Sequence, residues 1–134
     1  CVILNGDTFF DVDLNALCSK RMSDATAITI ALKPMEHFER YGSVTLAQDG
    51  HILSFNEKRY CDKGLINGGI YCLDCNAGLV SGKEGRFSFE KDVLEPQSAL
   101  GNLSGYVSDG SFIDIGIPQD YASAQTFLPA NIKI

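Results

Sequence analysis

Two apolar runs separated by a helical pattern most constrain the fold of this chain. Residues 1–4 (CVIL) and 25–32 (ATAITIAL) are typical of strands that are buried on both faces of an α/β sheet. Between them, residues 14–22 place apolar side chains at helical spacing, and Asp11 or Asp13 can cap that helix. The opening segment therefore predicts a strand, a turn at Asn-Gly-Asp, a helix and a second strand.

The middle of the chain predicts a hairpin followed by a further strand. Residues 42–48 and 52–57 alternate in polarity around an Asp-Gly dipeptide, which favours a tight hairpin turn. Residues 66–73 (INGGIYCL) predict another strand, although two adjacent glycines weaken any strand. We therefore expect Gly68 and Gly69 to form a bulge or to allow the close approach of a ligand.

The last part of the chain predicts two short strands between two helices. A short helix is expected at residues 89–94, stopped near Pro96, followed by strands at residues 105–107 and 112–115. Pro118 fits the first position of a final helix. The apolar stripe of that helix comprises Ile117, Tyr121, Ala124 and Leu128. The element order predicts one α/β domain over residues 1–134, with a mixed sheet flanked by helices.

Charge and composition exclude several classes of partner. Eleven Lys and Arg residues against seventeen Asp and Glu residues give a net charge of -6, which would repel nucleic-acid phosphates. A small phosphorylated metabolite stays compatible with this charge if a divalent cation and a lysine stand at the site. The apolar runs are too short for a membrane helix and no export signal precedes them, so we expect no membrane partner.

The five cysteines indicate reduced thiols and hence a cytoplasmic protein, because no secretory signal accompanies them. Cys72 and Cys75 form a CxxC, but the sequence has no second pair and no histidine at zinc-finger spacing. We interpret them as two small apolar side chains. The chain begins with Cys1 inside an apolar run, so we also expect further residues upstream.

Acidic residues at two separate positions predict a metal site. Asp7 follows the carboxyl end of the first predicted strand, where ligands bind in open α/β sheets. Asp11 and Asp13 form a DxD, a spacing that glycosyltransferases use for a nucleotide-sugar metal, although their more economical role is to begin the helix. Magnesium takes one or two carboxylates together with substrate phosphates, so a second acid is needed. Asp114 is the candidate for this second acid. A carboxylate between apolar residues is unfavourable unless it faces a cation or hydrogen-bond donors, and a metal ion would supply the cation.

A Glu-Lys pair and an Asn-Gly-Gly segment indicate where a substrate binds. Glu57 and Lys58 end the second arm of the predicted hairpin. Adjacent strand residues point to opposite faces, so both can reach one ligand only where the strand ends or twists. Asn67 offers a donor and an acceptor to a hydroxyl group, and the glycines after it let backbone amides approach a ligand.

Five motifs, in this order along the chain, resemble the sugar-1-phosphate nucleotidyltransferases. They are LNGDTFFDVDL, RYGSVTLAQDGHILSFNEK, GLINGGIY, FSFEKDVLEP and FIDIGIPQDY. FSFEKDVLEP is similar to the heptose 1-phosphate guanylyltransferase branch. The resemblance implies a Rossmann-like nucleotide-diphospho-sugar transferase fold, of which this chain is the C-terminal part. It also implies an enzyme that joins a sugar 1-phosphate to a nucleoside triphosphate, with GTP expected, and releases pyrophosphate.

The same resemblance implies a role for individual residues. The implied catalytic residues are Asp7, Lys58 and Asp114, of which Asp7 and Asp114 would hold Mg²⁺. The implied sugar-binding residues are Tyr41, Gly42, Glu57, Lys58, Asn67 and Gly68. Lys58 would contact the sugar phosphate, Glu57 the sugar hydroxyls, and the backbone at Gly42 the sugar ring.

Departures from the family pattern leave other interpretations open. The glycine-rich G-x-G-T-R loop and the Pro-Lys that follows it in the family are absent, so we expect this chain alone to lack the base and triphosphate site. A glycosyltransferase that uses Asp11 and Asp13 remains an alternative, as does a binding or regulatory module without turnover. The sequence also leaves the oligomeric state open, with a homo-oligomer as one outcome.

Overall fold

The computed structural model describes residues 1–132 as a mixed sheet with helices on both faces. The strands are β1 (Val2–Leu4), β2 (Thr8–Phe10), β3 (Ile28–Phe38), β4 (Gly42–Leu46), β5 (Ile52–Lys58), β6 (Cys61–Leu73), β7 (Leu103–Val107) and β8 (Phe112–Asp114). The α-helices are α1 (Leu14–Asp24), α2 (Glu95–Ala99) and α3 (Pro118–Asn131). A 3₁₀ turn at Cys75–Ala77 and a π-helical turn at Glu90–Leu94 complete the described elements.

The strands form one large sheet and one small one. The large sheet has the order β5-β4-β6-β3-β7, and β1 also pairs with β6. β3 and β7 run parallel, whereas the other pairs of this sheet are antiparallel. β2 and β8 pair with each other in antiparallel fashion. The mixed sheet predicted from the element order is therefore confirmed.

β6 has neighbours on both of its edges. β3 follows one edge along almost the whole strand. On the other edge, β4 pairs with residues 65–66 and β1 pairs with residues 70–72. Residues 67–69 therefore lie between the part of β6 that pairs with β4 and the part that pairs with β1. The predicted Asn-Gly-Gly segment occupies this gap.

The Gly-Gly pair of β6 forms the predicted bulge. Ile30 pairs with Tyr71, but the next pairing joins Leu32 to Asn67, so β6 contains extra residues at this point. Gly69 has φ +78°, a conformation that side-chain-bearing residues rarely adopt. The bulge bends the strand next to the gap between β4 and β1.

Each face of the large sheet packs against a different helix. On one face, the buried cluster contains Ile28, Ile30, Leu32, Tyr71, Leu73, Leu103, Val93 and Leu94. Val93 and Leu94 belong to the π-helical turn, which covers this face together with α2. On the other face, the buried cluster contains Phe10, Leu17, Ala31, Ile70 and Cys72, and Leu17 is the contribution of α1.

β1 is more exposed than the sequence predicts. We expected burial on both faces, yet Val2 is 38% exposed and Leu4 is 59% exposed. Ile3 is the residue of β1 that packs against a core cluster, whereas the alternate residues Val2 and Leu4 do not. Within residues 1–132, β1 pairs with β6 alone, which leaves its second edge open.

β3 and β6 are both longer than the sequence predicts, because they extend each other. The predicted strands covered residues 25–32 and 66–73, but the pairing continues from Lys33 to Phe38 opposite the first half of β6. The added residues mix charged side chains with apolar ones such as Met35, Phe38 and Leu65 in no regular period, so apolar periodicity did not reveal them. Backbone pairing between two neighbouring strands compensates for the missing apolar pattern.

The helices near the end of the chain differ from prediction in detail. α3 begins at Pro118 as predicted, but Tyr121 is 57% exposed and does not belong to the inward face. Ala124 is buried, and the Phe127 ring contacts the Phe9 ring edge-on at a centroid distance of 6.5 Å.

None of the helices within residues 1–132 is long and apolar enough to cross a membrane.

The short helix predicted at residues 89–94 is longer than expected. It starts with the π-helical turn and continues through Pro96 into α2. Pro96 lies inside this continuous segment, directly after the π-helical turn in which the N–H of Glu95 donates to the carbonyl oxygen of Glu90. The proline therefore does not stop the helix, as we had expected it to do.

Candidate functional site

A cavity of about 260 Å³ lies between the β4–β5 hairpin, β6 and the helical segment formed by the π-helical turn and α2. Four of the six residues predicted to bind sugar line it, namely Gly42, Glu57, Lys58 and Asn67. These residues come from two different motifs, and Glu90 and Glu95 of a third motif line the same cavity. The fold thus brings three separate sequence motifs to one concave site.

The end of β5 explains how Glu57 and Lys58 reach the same cavity. β5 ends at Lys58, which pairs with Gly42 across the hairpin, and the register of this pairing shifts before Val44. The regular alternation of side chains is therefore lost at this point. A Cβ atom on Gly42 would lie 2.5 Å from the carbonyl oxygen of Asn56, so the hairpin can close here only around a glycine.

The cavity has a strongly uneven charge. Lys58 is the only cation among the described residues that line it, whereas Glu57, Glu90 and Glu95 supply three carboxylates. A single cation suits one phosphate group, and carboxylate oxygens accept hydrogen bonds from hydroxyl groups. The lining therefore matches a molecule with one phosphate and several hydroxyls better than it matches a polyanion.

Asn67 is held in place by two hydrogen bonds within β6. The backbone N–H of Gly69 donates to Asn67 Oδ1 at 2.9 Å, and Asn67 Nδ2 donates to Tyr71 Oη at 3.0 Å. An asparagine amide carries two N–H donors and two acceptor lone pairs. One donor and one acceptor of Asn67 are thus left for a ligand in the cavity that this side chain lines.

Tyr71 lies under Asn67 and is almost completely buried. Its ring packs edge-on against Phe89 at a centroid distance of 5.0 Å. Burial raises the pKa of Tyr71 to about 12, and this exceeds the opposing effect of the hydrogen bond from Asn67. Tyr71 is therefore a neutral hydroxyl group near pH 7, in contact with Asn67 of its own motif and with Phe89 of another.

Tyr41 lies beside the cavity instead of lining it. Its ring contacts Phe112 edge-on at 6.2 Å, and its hydroxyl accepts a hydrogen bond from Arg40 Nη2 at 3.1 Å. Arg40 also forms an ion pair with Asp120 at the start of α3, with an N–O distance of 2.6 Å. Burial raises the pKa of Tyr41, and the charge of Asp114 adds to this. Tyr41 thus joins the hairpin to the Asp114 segment.

Gly68 is packed inside the sheet and does not line the cavity. A Cβ atom at this position would collide with the ring of Phe10 and lie 2.8 Å from the carbonyl oxygen of Ala31. The glycine is therefore required by packing against its neighbours on the α1 face. Its predicted contact with the sugar remains a prediction, since the structure gives the residue a packing role.

The segments that carry Asp7 and Asp114 lie side by side. Thr8 of β2 is directly opposite Asp114 of β8, and the N–H of Ile115 donates to the carbonyl oxygen of Asp7 at 2.9 Å. Asp114 Oδ1 accepts a hydrogen bond from the N–H of Gly116 at 2.7 Å. Asp7 is exposed in the turn before β2, so the alternation of that strand does not fix the direction of its side chain.

The residues at this position suit a magnesium ion. Both ligands would be carboxylate oxygens, and magnesium prefers oxygen ligands and retains several waters. Within residues 1–132, no group of three or more His, Cys, Asp and Glu side chains is gathered that could hold a metal. A metal here would therefore need substrate phosphates or water to complete its coordination. That Asp7 and Asp114 share one ion remains a prediction.

Asp13 has a structural role in the first helix. Its Oδ1 accepts hydrogen bonds from the N–H groups of Asn15 and Ala16, at 2.9 and 3.0 Å, and so caps α1. The role that we considered more economical for the DxD is confirmed for this residue. Both Asp11 and Asp13 lie at the start of α1, away from the residues that line the cavity.

Sequence reasoning missed several residues of the cavity. Ser43 and Asn56 were given no role, although Asn56 Nδ2 donates to Ser43 Oγ at 3.1 Å between the two hairpin strands. Glu90 and Glu95 belong to FSFEKDVLEP, which contributed to the family resemblance without assigned roles. The motif that contains both glutamates was the one available signal, since their distance in sequence from Lys58 hides the fact that they line the same cavity.

A model of the nucleotidyl transferase family matches residues 1–131 of this sequence. The chain belongs to this family. One curated relative of this nucleotidyl transferase chain is the D-glycero-alpha-D-manno-heptose 1-phosphate guanylyltransferase of Aneurinibacillus thermoaerophilus. It is 44% identical over 124 residues, which cover 92% of this chain and 54% of the relative. The enzyme of the same name from Campylobacter jejuni is 42% identical over 119 residues, or 89% of this chain and 52% of the relative.

Solved structures agree with this membership. HddC from Yersinia pseudotuberculosis superposes with a TM-score of 0.77 at 32% identity, over 92% of this chain and 52% of that protein. A structure of HddC with GMP-PN gives a TM-score of 0.74 at 30% identity, with the same coverage. The Rossmann-like α/β fold predicted from the family resemblance is confirmed. This nucleotidyl transferase chain spans about half the length of these relatives.

Proposed function

We propose that the protein to which this chain belongs is a guanylyltransferase that joins a heptose 1-phosphate to GTP. In this reaction, a phosphate oxygen of the sugar 1-phosphate bonds to the α-phosphorus of GTP, the bond to the β-phosphate breaks, and pyrophosphate leaves. The observation that carries the proposal is the cavity in which Gly42, Glu57, Lys58 and Asn67 meet. These are four of the residues that the family resemblance assigns to the sugar 1-phosphate.

The relatives support the choice of nucleotide and sugar. Two curated relatives, at 44% and 42% identity, are both named D-glycero-alpha-D-manno-heptose 1-phosphate guanylyltransferase. HddC, which shares the fold, has been crystallised with GMP-PN. These names describe those proteins, and we extend them to this chain because the similarity covers about nine-tenths of it.

The residues of the cavity would act mainly by holding and orienting the sugar phosphate. Lys58 would pair with the phosphate and reduce the repulsion between two anionic substrates. Glu57 would accept hydrogen bonds from sugar hydroxyls, while Asn67 would use its remaining N–H and lone pair. The absence of a side chain at Gly42 would let a sugar ring lie against the hairpin backbone.

Asp7 and Asp114 are the residues that we propose to hold Mg²⁺. When bound, this ion would neutralise charge on the phosphates and help to align the two substrates. The two aspartates would contribute by keeping their carboxylates on adjacent segments of the chain. Ile115 supports this arrangement, because its backbone hydrogen bond to Asp7 ties the two segments together.

The experiment is an assay of the complete protein with GTP, D-glycero-α-D-manno-heptose 1-phosphate and magnesium. We expect pyrophosphate release with GTP to exceed that with ATP or UTP by at least about 10-fold in kcat/KM. Lys58→Met should lower kcat/KM by about 100-fold or more. Lys63→Met is the matched control, since this exposed lysine lies in β6 outside the cavity lining. Binding of the sugar phosphate without pyrophosphate release would instead indicate a binding module and would refute the proposal.

A further inference from the structure

We propose that Tyr71 is a positioning residue for sugar binding, because its hydroxyl fixes the Asn67 amide toward the cavity. This inference rests on the proposed function in one respect only, namely that the cavity receives a sugar. The family resemblance assigned no role to Tyr71. The evidence for this inference is the hydrogen bond between Asn67 and the Tyr71 hydroxyl, together with the burial of the phenol.

The chemistry of the donors fixes the orientation of the Asn67 amide. The backbone N–H of Gly69 can only donate, so the atom that faces it at 2.9 Å must be the amide oxygen of Asn67. The amide nitrogen must then face Tyr71 Oη, 3.0 Å away. A flipped amide would place two donors against each other at Gly69. The Tyr71 oxygen is therefore the acceptor that completes this orientation.

Tyr71 can hold this position because it is closely packed inside the core. The residue is 2% exposed and belongs to the main buried cluster. Phe89 packs edge-on against the ring from the segment that leads into the π-helical turn. The segment before Asp7 lies against the same strand, because the N–H of Asn5 donates to the carbonyl oxygen of Gly69 at 2.8 Å. The phenol ring is thus enclosed by the core and by Phe89 before any ligand arrives.

This arrangement would lower the entropic cost of binding. A free asparagine side chain loses rotamer freedom when it contacts a ligand, whereas a side chain that is already fixed loses little. With Tyr71 present, the Asn67 amide, which lines the cavity, is held in one orientation by hydrogen bonds at both its oxygen and its nitrogen. Without the hydroxyl, the Asn67 Nδ2 would lose its partner and the side chain could rotate away.

The test compares Tyr71→Phe with wild type in the complete protein. We expect KM for the heptose 1-phosphate to rise about 3- to 10-fold, in line with the loss of one hydrogen bond. Both kcat and KM for GTP should stay within about 2-fold, because Tyr71 would touch neither GTP nor the reacting atoms. Tyr106→Phe is the matched control, since this half-buried tyrosine packs against the cluster on the opposite face of the sheet.

A double-mutant cycle separates positioning from general stability. If Tyr71 acts through Asn67, then Tyr71→Phe should add almost nothing to the KM increase caused by Asn67→Ala. The inference would be refuted if the KM increases caused by the two substitutions added together. It would also be refuted if Tyr71→Phe impaired kcat, KM for the heptose 1-phosphate and KM for GTP to the same degree.

A measurement on the ligand-free protein keeps the inference testable even if no transferase activity exists. Side-chain N–H exchange of Asn67, followed by NMR, should be at least about 5-fold faster in Tyr71→Phe than in wild type. Unchanged exchange would show that Tyr71 does not hold Asn67. A wild-type protein without pyrophosphate release would refute the proposed function alone, because this exchange measurement does not depend on it.

Discussion

The backbone N–H of Ile115 donates to the carbonyl oxygen of Asp7 at 2.9 Å. This hydrogen bond extends the pairing of β2 with β8, in which Thr8 lies opposite Asp114. Two acidic segments from opposite ends of the sequence are therefore held side by side by the backbone. Their proximity does not depend on the conformation of any side chain, and it makes their joint role in metal binding directly testable.

Removal of either acid should abolish metal-dependent catalysis. We expect Asp7→Asn and Asp114→Asn each to lower pyrophosphate release by the complete protein at least about 100-fold, because each would remove one ligand of the Mg²⁺ ion. Chelation of divalent cations should have the same effect on wild type. Asp62→Asn is the control, since its side chain is 81% exposed in the extended part of β6. A near-normal rate in either variant at saturating magnesium would contradict the assignment.

Asp13 should contribute to stability and not to catalysis. Its side chain caps α1 through two backbone N–H groups, so Asp13→Ala should lower the free energy of unfolding by about 1 kcal/mol. Urea denaturation measures this loss, and Asp11→Ala provides a control that leaves the capping bonds intact. If Asp13→Ala instead removed transferase activity while the fold stayed stable, the glycosyltransferase interpretation of the DxD would regain support.

Two glycines near the site should respond very differently to substitution. A Cβ at Gly68 would meet the Phe10 ring and the Ala31 backbone, so Gly68→Ala should destabilise the fold by about 1–3 kcal/mol. Gly6 has no atom within 4 Å of its expected Cβ position, so Gly6→Ala should change stability by less than about 0.5 kcal/mol. Thermal denaturation of both variants would check this contrast, and equal stabilities would show that β6 can move to accommodate a side chain.

The protein should lose stability at alkaline pH in a manner that depends on Tyr71. Burial raises the pKa of Tyr71 to about 12 in the folded state, above the ordinary value of 10.0 for an unfolded chain. The neutral phenol therefore contributes stability that is fully present below about pH 10 and is lost as pH rises toward about 12. Urea midpoints between about pH 8 and pH 11.5 measure this loss.

The matched variants for the alkaline experiment are Tyr71→Phe and Tyr121→Phe. In Tyr71→Phe the decline above about pH 10 should be reduced, because no buried phenol remains to ionise. Tyr121→Phe should decline like wild type, since Tyr121 is exposed on α3. A decline of the same size in all three proteins would assign the alkaline instability to other groups.

The parts of the fold that depend on local chemistry were predictable from the sequence. The Asp-Gly dipeptide forms the predicted hairpin turn, with Gly50 at φ +91° and Asp49 Oδ1 accepting from the N–H of His51 at 3.0 Å. Pro118 begins α3, and the Gly-Gly pair forms a bulge. In each case a few adjacent residues determine the backbone conformation.

Features that depend on distant partners were not predictable in the same way. β2 exists because β8 pairs with it, and the second half of β3 and the first half of β6 exist because they pair with each other. Glu90 and Glu95 reach the cavity because the helical segment packs on the β5 side of the sheet. No periodicity within these segments reports such contacts, since the information lies in the pairing.

The part of β6 that lies between its pairings with β4 and β1 is the least variable part of the cavity lining, whereas other lining residues can be substituted more freely. Residues 67–69 serve the bulge, the packing of Phe10 and the placement of Asn67 at once, so the floor of the cavity tolerates little change. The hairpin end and the glutamate-bearing helical segment meet this floor from either side; Gly42 is fixed by the closure of the hairpin, whereas Glu57, Glu90 and Glu95 are exposed. New sugar preferences could therefore evolve, or be engineered, by altering these three glutamates while the strand between them stays the same.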